Sequence, residues 1–266
     1  MPELPDLAVV ADALHAALAG RRIVRAEAPA PLAVRGTPAE LSALVGQELG
    51  AVRRRGKFIV LDLERDRIVI NAMLTGRFQL AAPGDRLPSN TAAILGFGPR
   101  SGKPEAMAPW TDGASWLPRD AATAELRYRD PSQMGKVYLL PAGVTRPVTG
   151  FEDVEQGPDA DSPDLTLDLW RERIRRHPGE LKSLLRNQAF VAGIGNAYSD
   201  EILHAARLSP FRRRSSLAPE EVEALYEARR PFYAKADIAV DTTGLNPDQV
   251  AARVAAALAE RQRQAV

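Results

Sequence analysis

Residues 180–210 read Glu180-Leu-Lys-Ser-Leu-Leu-Arg-Asn-Gln-Ala-Phe-Val-Ala-Gly-Ile-Gly-Asn-Ala-Tyr-Ser-Asp-Glu-Ile-Leu-His-Ala-Ala-Arg-Leu-Ser-Pro210. The stretch predicts a helix, a tight turn carrying Gly193 and Gly195, and a second helix starting at Asn196. A helix start presents unsatisfied backbone N–H groups and the positive end of the helix dipole, which suits a phosphate. Lys182 and Asn196 could add side-chain donors. The same residues also describe an ordinary pair of helices with glycines for close packing, and the stretch alone leaves both readings open.

Working outward toward the C-terminus, helices are expected over Leu165–Arg175, Pro178–Gln188, Asn196–Ala206 and Ser216–Asp237. A last one runs from Pro247 to about Arg263, where Asn246 and Gln249 give a cap and Pro247 a first-turn proline. Toward the N-terminus the pattern changes. Pro141 to Pro163 is rich in proline, glycine and acid, and marks a domain boundary. Before it, alternating and apolar runs predict strands at Arg22–Glu27, Leu49–Arg55, Lys57–Leu63, Arg67–Ile70, Gly76–Leu80, Asn90–Phe97, Glu125–Tyr128 and Lys136–Leu140. Pro5 to Leu18 has helical spacing through Leu7, Val10, Leu14 and Leu18, and a short helix fits Pro38–Val45. Residues Gly98 to Asp120 carry Trp110 and Trp116 but little periodicity, which predicts a long loop.

The chain has 266 residues, 45% hydrophobic and 26% charged, with net charge +1. Those values suit a globular protein and do not by themselves mark a nucleic-acid binder. Basic residues cluster at Arg53-Arg54-Arg55-Gly56-Lys57, Arg171–Arg176 and Arg212-Arg213-Arg214, while acids gather between Glu152 and Asp168. Segregation of that kind can create a basic face, although any single cluster can equally be a solvated patch. There is no cysteine, which excludes disulfides, thiolate metal sites and cysteine nucleophiles. His15, His177 and His204 lack metal-ligand spacing. No apolar run reaches membrane-spanning length and no secretion signal opens the chain, so a cytoplasmic, nucleoid-associated protein is expected.

The chain opens Met1-Pro2-Glu3-Leu4-Pro5-Asp6. Loss of Met1 would expose the secondary amine of Pro2, a backbone nitrogen able to act as a nucleophile, next to the Glu3 carboxyl. Pro5 and Asp6 also read simply as a helix start.

Taken together, the 180–210 stretch and the opening hexapeptide resemble the formamidopyrimidine-DNA glycosylase/endonuclease VIII family of helix–two-turn–helix DNA glycosylases. Gly56-Lys57, Thr75-Gly76-Arg77-Phe78, Asp130-Pro131 and Met134-Gly135 match in order, so the resemblance covers most of residues 1–235. It implies an α+β multidomain fold: an N-terminal catalytic β-sandwich domain with flanking helices (1–148) and a helical helix–two-turn–helix DNA-binding domain (149–266).

The resemblance also implies a bifunctional DNA glycosylase and abasic-site lyase that excises oxidised bases in base excision repair. Pro2 would attack C1′ of the damaged nucleotide and form a Schiff base, with Glu3 moving protons. Lys57, Asn71, Lys182 and Asn196 would hold DNA phosphates. Leu74, Ser132 and Met134 would occupy the wedge and opposite-base region. The partner would be double-stranded DNA carrying a damaged base or abasic site, bound by a monomer with no membrane attachment.

Several departures from the family pattern qualify this. Asn71 stands at a family histidine, Leu74 at the wedge methionine, Ser132 at an arginine, Met134 at a phenylalanine, and Asp6 at a position where glutamate is common. Many members end in a four-cysteine zinc finger, whereas this chain has no cysteine and ends in a predicted helix, so no cofactor or metal is expected. A lesion- or abasic-site-binding protein with lost or reduced catalysis is the alternative, and an RNA-associated protein is a third reading that the amino terminus argues against.

Overall fold

The computed structural model describes residues 2–102, 108–114, 116–151, 156–233, 240, 242 and 244–264. Met1, the acidic residues 152–155 and the expected end of the fourth helix (234–237) lie outside the described residues.

Helix α1 (Leu4–Leu18) starts one residue earlier than the spacing predicts. Pro5 occupies its first turn, and the Glu3 amide donates to the Asp6 carboxylate at 2.9 Å, fixing the helix entry. Leu7, Ala11, Leu14 and Leu18 form its buried face. The chain leaves at Gly20, whose φ of +74° favours glycine.

Nine strands follow among the described residues. They are β1 (Arg21–Glu27), β2 (Val34–Arg35), β3 (Glu48–Arg55), β4 (Phe58–Leu63), β5 (Arg67–Asn71), β6 (Arg77–Ala81), β7 (Thr91–Arg100), β8 (Ala124–Arg129) and β9 (Lys136–Leu140). They form one sheet in the order β2-β9-β5-β4-β3-β1-β7-β8-β6, antiparallel except between β2 and β9. The sheet folds over itself. Ile68 and Ile70 of β5 and Val137 and Leu139 of β9 face Ala93 and Leu95 of β7 and Leu126 and Tyr128 of β8 across a narrow apolar gap. That arrangement is the sandwich expected from the sequence, made from a single continuous sheet. α1 packs on β3, the middle strand of the sheet. The short helix α2 (Pro38–Ser42) ends three residues before the expected Val45.

The aperiodic stretch after β7 is more ordered than its sequence suggests. A 3-10 turn spans Pro109–Gly113, and the Trp110 indole donates to Asp12 of α1 at 3.0 Å. Arg21, with no exposed surface, donates to the carbonyls of Ala17, Gly98, Pro118, Arg119 and Ala121 at 2.7–3.0 Å. A buried guanidinium with five donors can close five backbone acceptors at once, and here it ties residues 118–121 to α1 and the sheet.

The C-terminal part is helical: α3 (Leu167–Arg176), α4 (Leu181–Arg186), α5 (Asn196–Ala205), α6 (Pro219–Tyr233) and α7 (Pro247–Gln264). α4 is shorter than the expected Pro178–Gln188. Gly179 adopts φ +116°, and its carbonyl accepts from the Arg214 amide at 3.0 Å, so the chain becomes helical only at Leu181. α3–α6 pack around Trp170, whose ring lies 4.8 Å from Phe190 and 5.9 Å from Tyr226. Leu4 of α1 belongs to this second core, so the first turn of the chain is seated among the helices. No helix among the described residues is long and apolar enough to cross a membrane.

Candidate active site and nucleic-acid interface

The amino terminus meets the helix–turn–helix at one point. The Leu4 amide donates to the Gly193 carbonyl at 3.2 Å. Gly193 adopts φ +93°, and a Cβ there would lie 2.5 Å from Leu4 Cδ1. Gln188 closes the turn from inside, its Oε1 accepting from the Gly193 amide and its Nε2 donating to the Ile194 carbonyl, both at 2.9 Å. The position is therefore built for glycine by backbone angle and by space together.

Glu3 is 4% exposed. Its carboxylate accepts from the amides of Gly195 at 2.6 Å, Ala197 at 2.9 Å and Tyr198 at 3.4 Å. Of the readings the sequence leaves open at this turn, the structure adds a third: the anion on the amides of Gly195, Ala197 and Tyr198 is Glu3. The interaction combines charge-assisted hydrogen bonds with the helix dipole. Two tyrosines missed in the sequence surround the pair. Tyr198 packs on Tyr233 at 5.5 Å between ring centroids. Burial, with the Asp6 and Glu3 charges adding to it at Tyr198 and the Glu3 charge at Tyr233, pushes both phenols up, so both stay protonated donors. Tyr233 reaches the site from the end of α6, and no local pattern marks it.

Pro2 lies at the edge of an open cavity of about 420 Å³ lined by Asp6, Leu7, Val10, Gly76, Arg77 and Phe78. Arg77 and Phe78 were noted in the sequence only as part of a matching segment. The cavity sets the Pro2 backbone beside an apolar wall, a carboxylate and a guanidinium.

Lys57 follows Gly56 in the turn between β3 and β4. Burial pulls its ammonium down to about 8; the Glu3 carboxylate opposes that and the Arg186 guanidinium adds to it. Lys57 therefore shares the electrostatic neighbourhood of Glu3. The basic run before it is paired within the molecule. Arg53 pairs with Asp62 at 2.5 Å, Arg54 with Asp159 at 3.0 Å and Asp161 at 3.1 Å, and Arg55 lies over the Phe151 ring at 4.9 Å. Part of the acidic cluster is thus matched to the basic run inside the molecule. Lys182 is also engaged, meeting Asp200 of α5 at 2.7 Å. Asn196 is exposed at the first position of α5.

Two turns carry the remaining predicted residues. The Thr75 and Ser132 hydroxyls both donate to Asp130 Oδ1, the latter at 3.0 Å, and the Gly135 amide donates to Oδ2 at 2.6 Å. Burial works against the Asp130 charge, but these hydrogen bonds hold its carboxyl below the usual range. Ser132 is therefore bound to Asp130 through its hydroxyl. Leu74 and Met134, 51% and 46% exposed, project from the laced turns. Asn71 accepts from the Met73 amide at 3.1 Å and shapes the first turn. Met73 and Gln133, one in each turn, adopt left-handed backbone at φ +48° and +55°. Strain of this kind in exposed tips is a pointer to function.

The sequence has no cysteine to supply the thiolate ligands of a zinc finger of the family type.

Comparison with known proteins agrees with this geometry. The family model described as the formamidopyrimidine-DNA glycosylase N-terminal domain matches residues 1–137, and that of the formamidopyrimidine-DNA glycosylase H2TH domain matches residues 156–248. The formamidopyrimidine-DNA glycosylase of Symbiobacterium thermophilum is 32% identical over 238 residues, covering 89% of this chain and 70% of that protein. The one from Carboxydothermus hydrogenoformans is 28% identical over 237 residues, covering 88% and 76%. Among solved structures, the MutM (Fpg) protein of Thermus thermophilus superposes with a TM-score of 0.68 at 27% identity, over 87% of this chain and 74% of that one. The Lactococcus lactis enzyme, solved non-covalently bound to DNA containing an abasic site, gives 0.71 at 23% identity, over 87% and 80%. With a matching sandwich, a matching helix–turn–helix and a Glu3 that joins them, the chain belongs to the formamidopyrimidine-DNA glycosylase family.

Proposed function

We propose that this chain is a bifunctional DNA glycosylase and abasic-site lyase of base excision repair, acting on oxidised bases through the Pro2 amine once Met1 has been removed. The observation that carries this is the placement of Pro2 at the mouth of the Asp6–Arg77–Phe78 cavity, beside a Glu3 carboxylate fixed by the amides of α5. The neutral Pro2 nitrogen attacks C1′ of the flipped nucleotide, and the bond from C1′ to the base breaks, the base leaving with the bonding pair and taking a proton from water. Glu3 Oε1 accepts one amide among the described residues and keeps a lone pair for proton transfer. It takes up the proton that the Pro2 nitrogen loses on attack and passes it to the ring oxygen as the sugar opens and the iminium forms. Loss of a C2′ proton then expels the 3′ phosphate, and water releases the enzyme.

Lys57, Asn71, Lys182 and Asn196 serve in this reading as phosphate contacts. Lys182 would have to exchange its Asp200 partner for phosphate, which the exposure of that pair permits. Leu74 and Met134 fill the space of the extruded base, offsetting the unstacking cost.

The test is borohydride trapping on duplex DNA with an abasic site. Protein whose N-terminus is shown by mass spectrometry to be Pro2 should give a covalent adduct, and Pro2→Gly or Met1-retaining protein should lose it. No adduct with processed protein would overturn the lyase and leave a lesion-binding protein.

A further inference from the structure

The helical part displays one aromatic side chain that no role above uses. Phe211 is 76% exposed, more than any other large apolar residue described. Its loop is pinned on both sides. The Leu181 amide donates to the Arg212 carbonyl at 3.0 Å and the Lys182 amide to the Pro210 carbonyl at 3.2 Å, so the loop lies along the start of α4. Arg212 is held by Glu221 through both carboxylate oxygens, and by the Ser216 carbonyl. Phe211 thus stands on a rigid support and its exposure is not the result of a loose loop.

The surroundings are cationic. Arg213, next but one to Phe211, is exposed. Arg207, also exposed, ends α5 in left-handed backbone at φ +56°, a conformation that favours glycine. Lys182, already placed among the phosphate contacts and paired with Asp200, is joined to the loop by the backbone bond to Pro210. An apolar partner would gain from Phe211 but would have to strip water from these cations. A nucleic acid satisfies both, because a base has a face to stack and a backbone to neutralise.

We infer that Phe211 is a stacking platform for an unpaired base, with Arg213 holding the adjoining phosphate, so that the protein grips single-stranded DNA next to the duplex it binds through Lys182 and Asn196. Duplex DNA keeps its bases stacked internally, so the platform distinguishes tailed or locally opened DNA from a blunt duplex. The inference rests on the DNA-binding reading above only for the position of the duplex.

The experiment measures fluorescence anisotropy of the full chain with three probes. These are a blunt duplex holding a tetrahydrofuran abasic analogue, the same duplex with a short thymidine tail at either end, and single-stranded oligothymidine. A tail should tighten binding about tenfold, within the range of one aromatic-stacked base. Phe211→Ala should remove that gain and leave blunt-duplex binding within twofold, while Phe211→Trp should keep it. Arg213→Ala should lower the salt slope on tailed DNA by about one. Equal binding of blunt and tailed duplex, or a tail gain that survives Phe211→Ala, overturns the inference and leaves the repair reading intact. Phe211-dependent binding of oligothymidine without any binding of the blunt duplex would support the platform and overturn the duplex reading.

Discussion

The Glu3 carboxylate lies 2.6 Å from the amide of Gly195, across 192 residues of chain. The contact joins the reactive end of the molecule to the first turn of α5. It also explains a glycine that backbone angle does not require. A Cβ on Gly195 would sit 2.3 Å from the Glu3 carboxyl carbon.

Gly195→Ala should therefore displace Glu3. The loss of charge-assisted hydrogen bonds to a buried carboxylate should cost about 2–3 kcal/mol of stability, and adduct trapping should fall steeply. Combining it with Glu3→Ala removes the clash. The double variant should be no less stable than Glu3→Ala alone, as denaturant titration would show. Additive losses would mean that Gly195 acts elsewhere.

Much of the fold could be read from the sequence because its signals are local. The start of α5 after Gly195, the apolar run of β7 and the cap at Asn246–Gln249 are each set by neighbours in the chain. What could not be read depends on distant pairing. Nothing near Asn196 announces that Glu3 occupies its amides. Nothing near Asp159 announces Arg54, and the loop before Ala121 is ordered by Arg21, about a hundred residues earlier. Of the candidate site, Pro2, Glu3 and Lys57 share a neighbourhood. Ser132 turned inward on Asp130 because its short hydroxyl reaches that carboxylate.

Lys57 gives a pH signature. Its ammonium is pulled down to about 8 by burial, with Glu3 opposing. Phosphate binding needs the charged form, so affinity for abasic duplex DNA should weaken as pH rises from 7 to 9, with proton uptake on binding. Lys57→Arg, which stays charged, should flatten the profile. An unchanged slope in that variant would remove Lys57 from phosphate binding. For stability the sign is opposite. Below about 8 the folded protein carries a buried charge, and stability should gain as pH rises from there toward the ordinary lysine range, because the unfolded chain then binds more protons.

Asp130 should act as an acid-sensitive latch for the two exposed turns. Its folded carboxyl is held below the ordinary value, so its contribution is present above about pH 4 and is lost as pH falls through the folded value. Asp130→Asn should cost about 2 kcal/mol at neutral pH. The gap between variant and wild type should close on acidification. Because the latch supports Leu74 and Met134, the variant should also weaken binding to lesion duplex more than to undamaged duplex, measured side by side.

The three non-glycine residues among the described ones with left-handed backbone, Met73, Gln133 and Arg207, give the last prediction. A folded L-residue loses about 1–2 kcal/mol there relative to glycine. Glycine returns part of this through the greater entropy of the unfolded chain. Gln133→Gly and Arg207→Gly, both at exposed positions, should then each stabilise the protein by roughly 0.5–1 kcal/mol, read as a rise of a few degrees in Tm. If these side chains serve only the fold, activity should be unchanged. If the turns are held strained to present Leu74, Met134 and the basic surface to DNA, the stabilised variants should bind lesion duplex more weakly. Gain in Tm together with loss of affinity is the expected result, and a stabilised variant with full affinity would show that the strain at that residue has no part in binding.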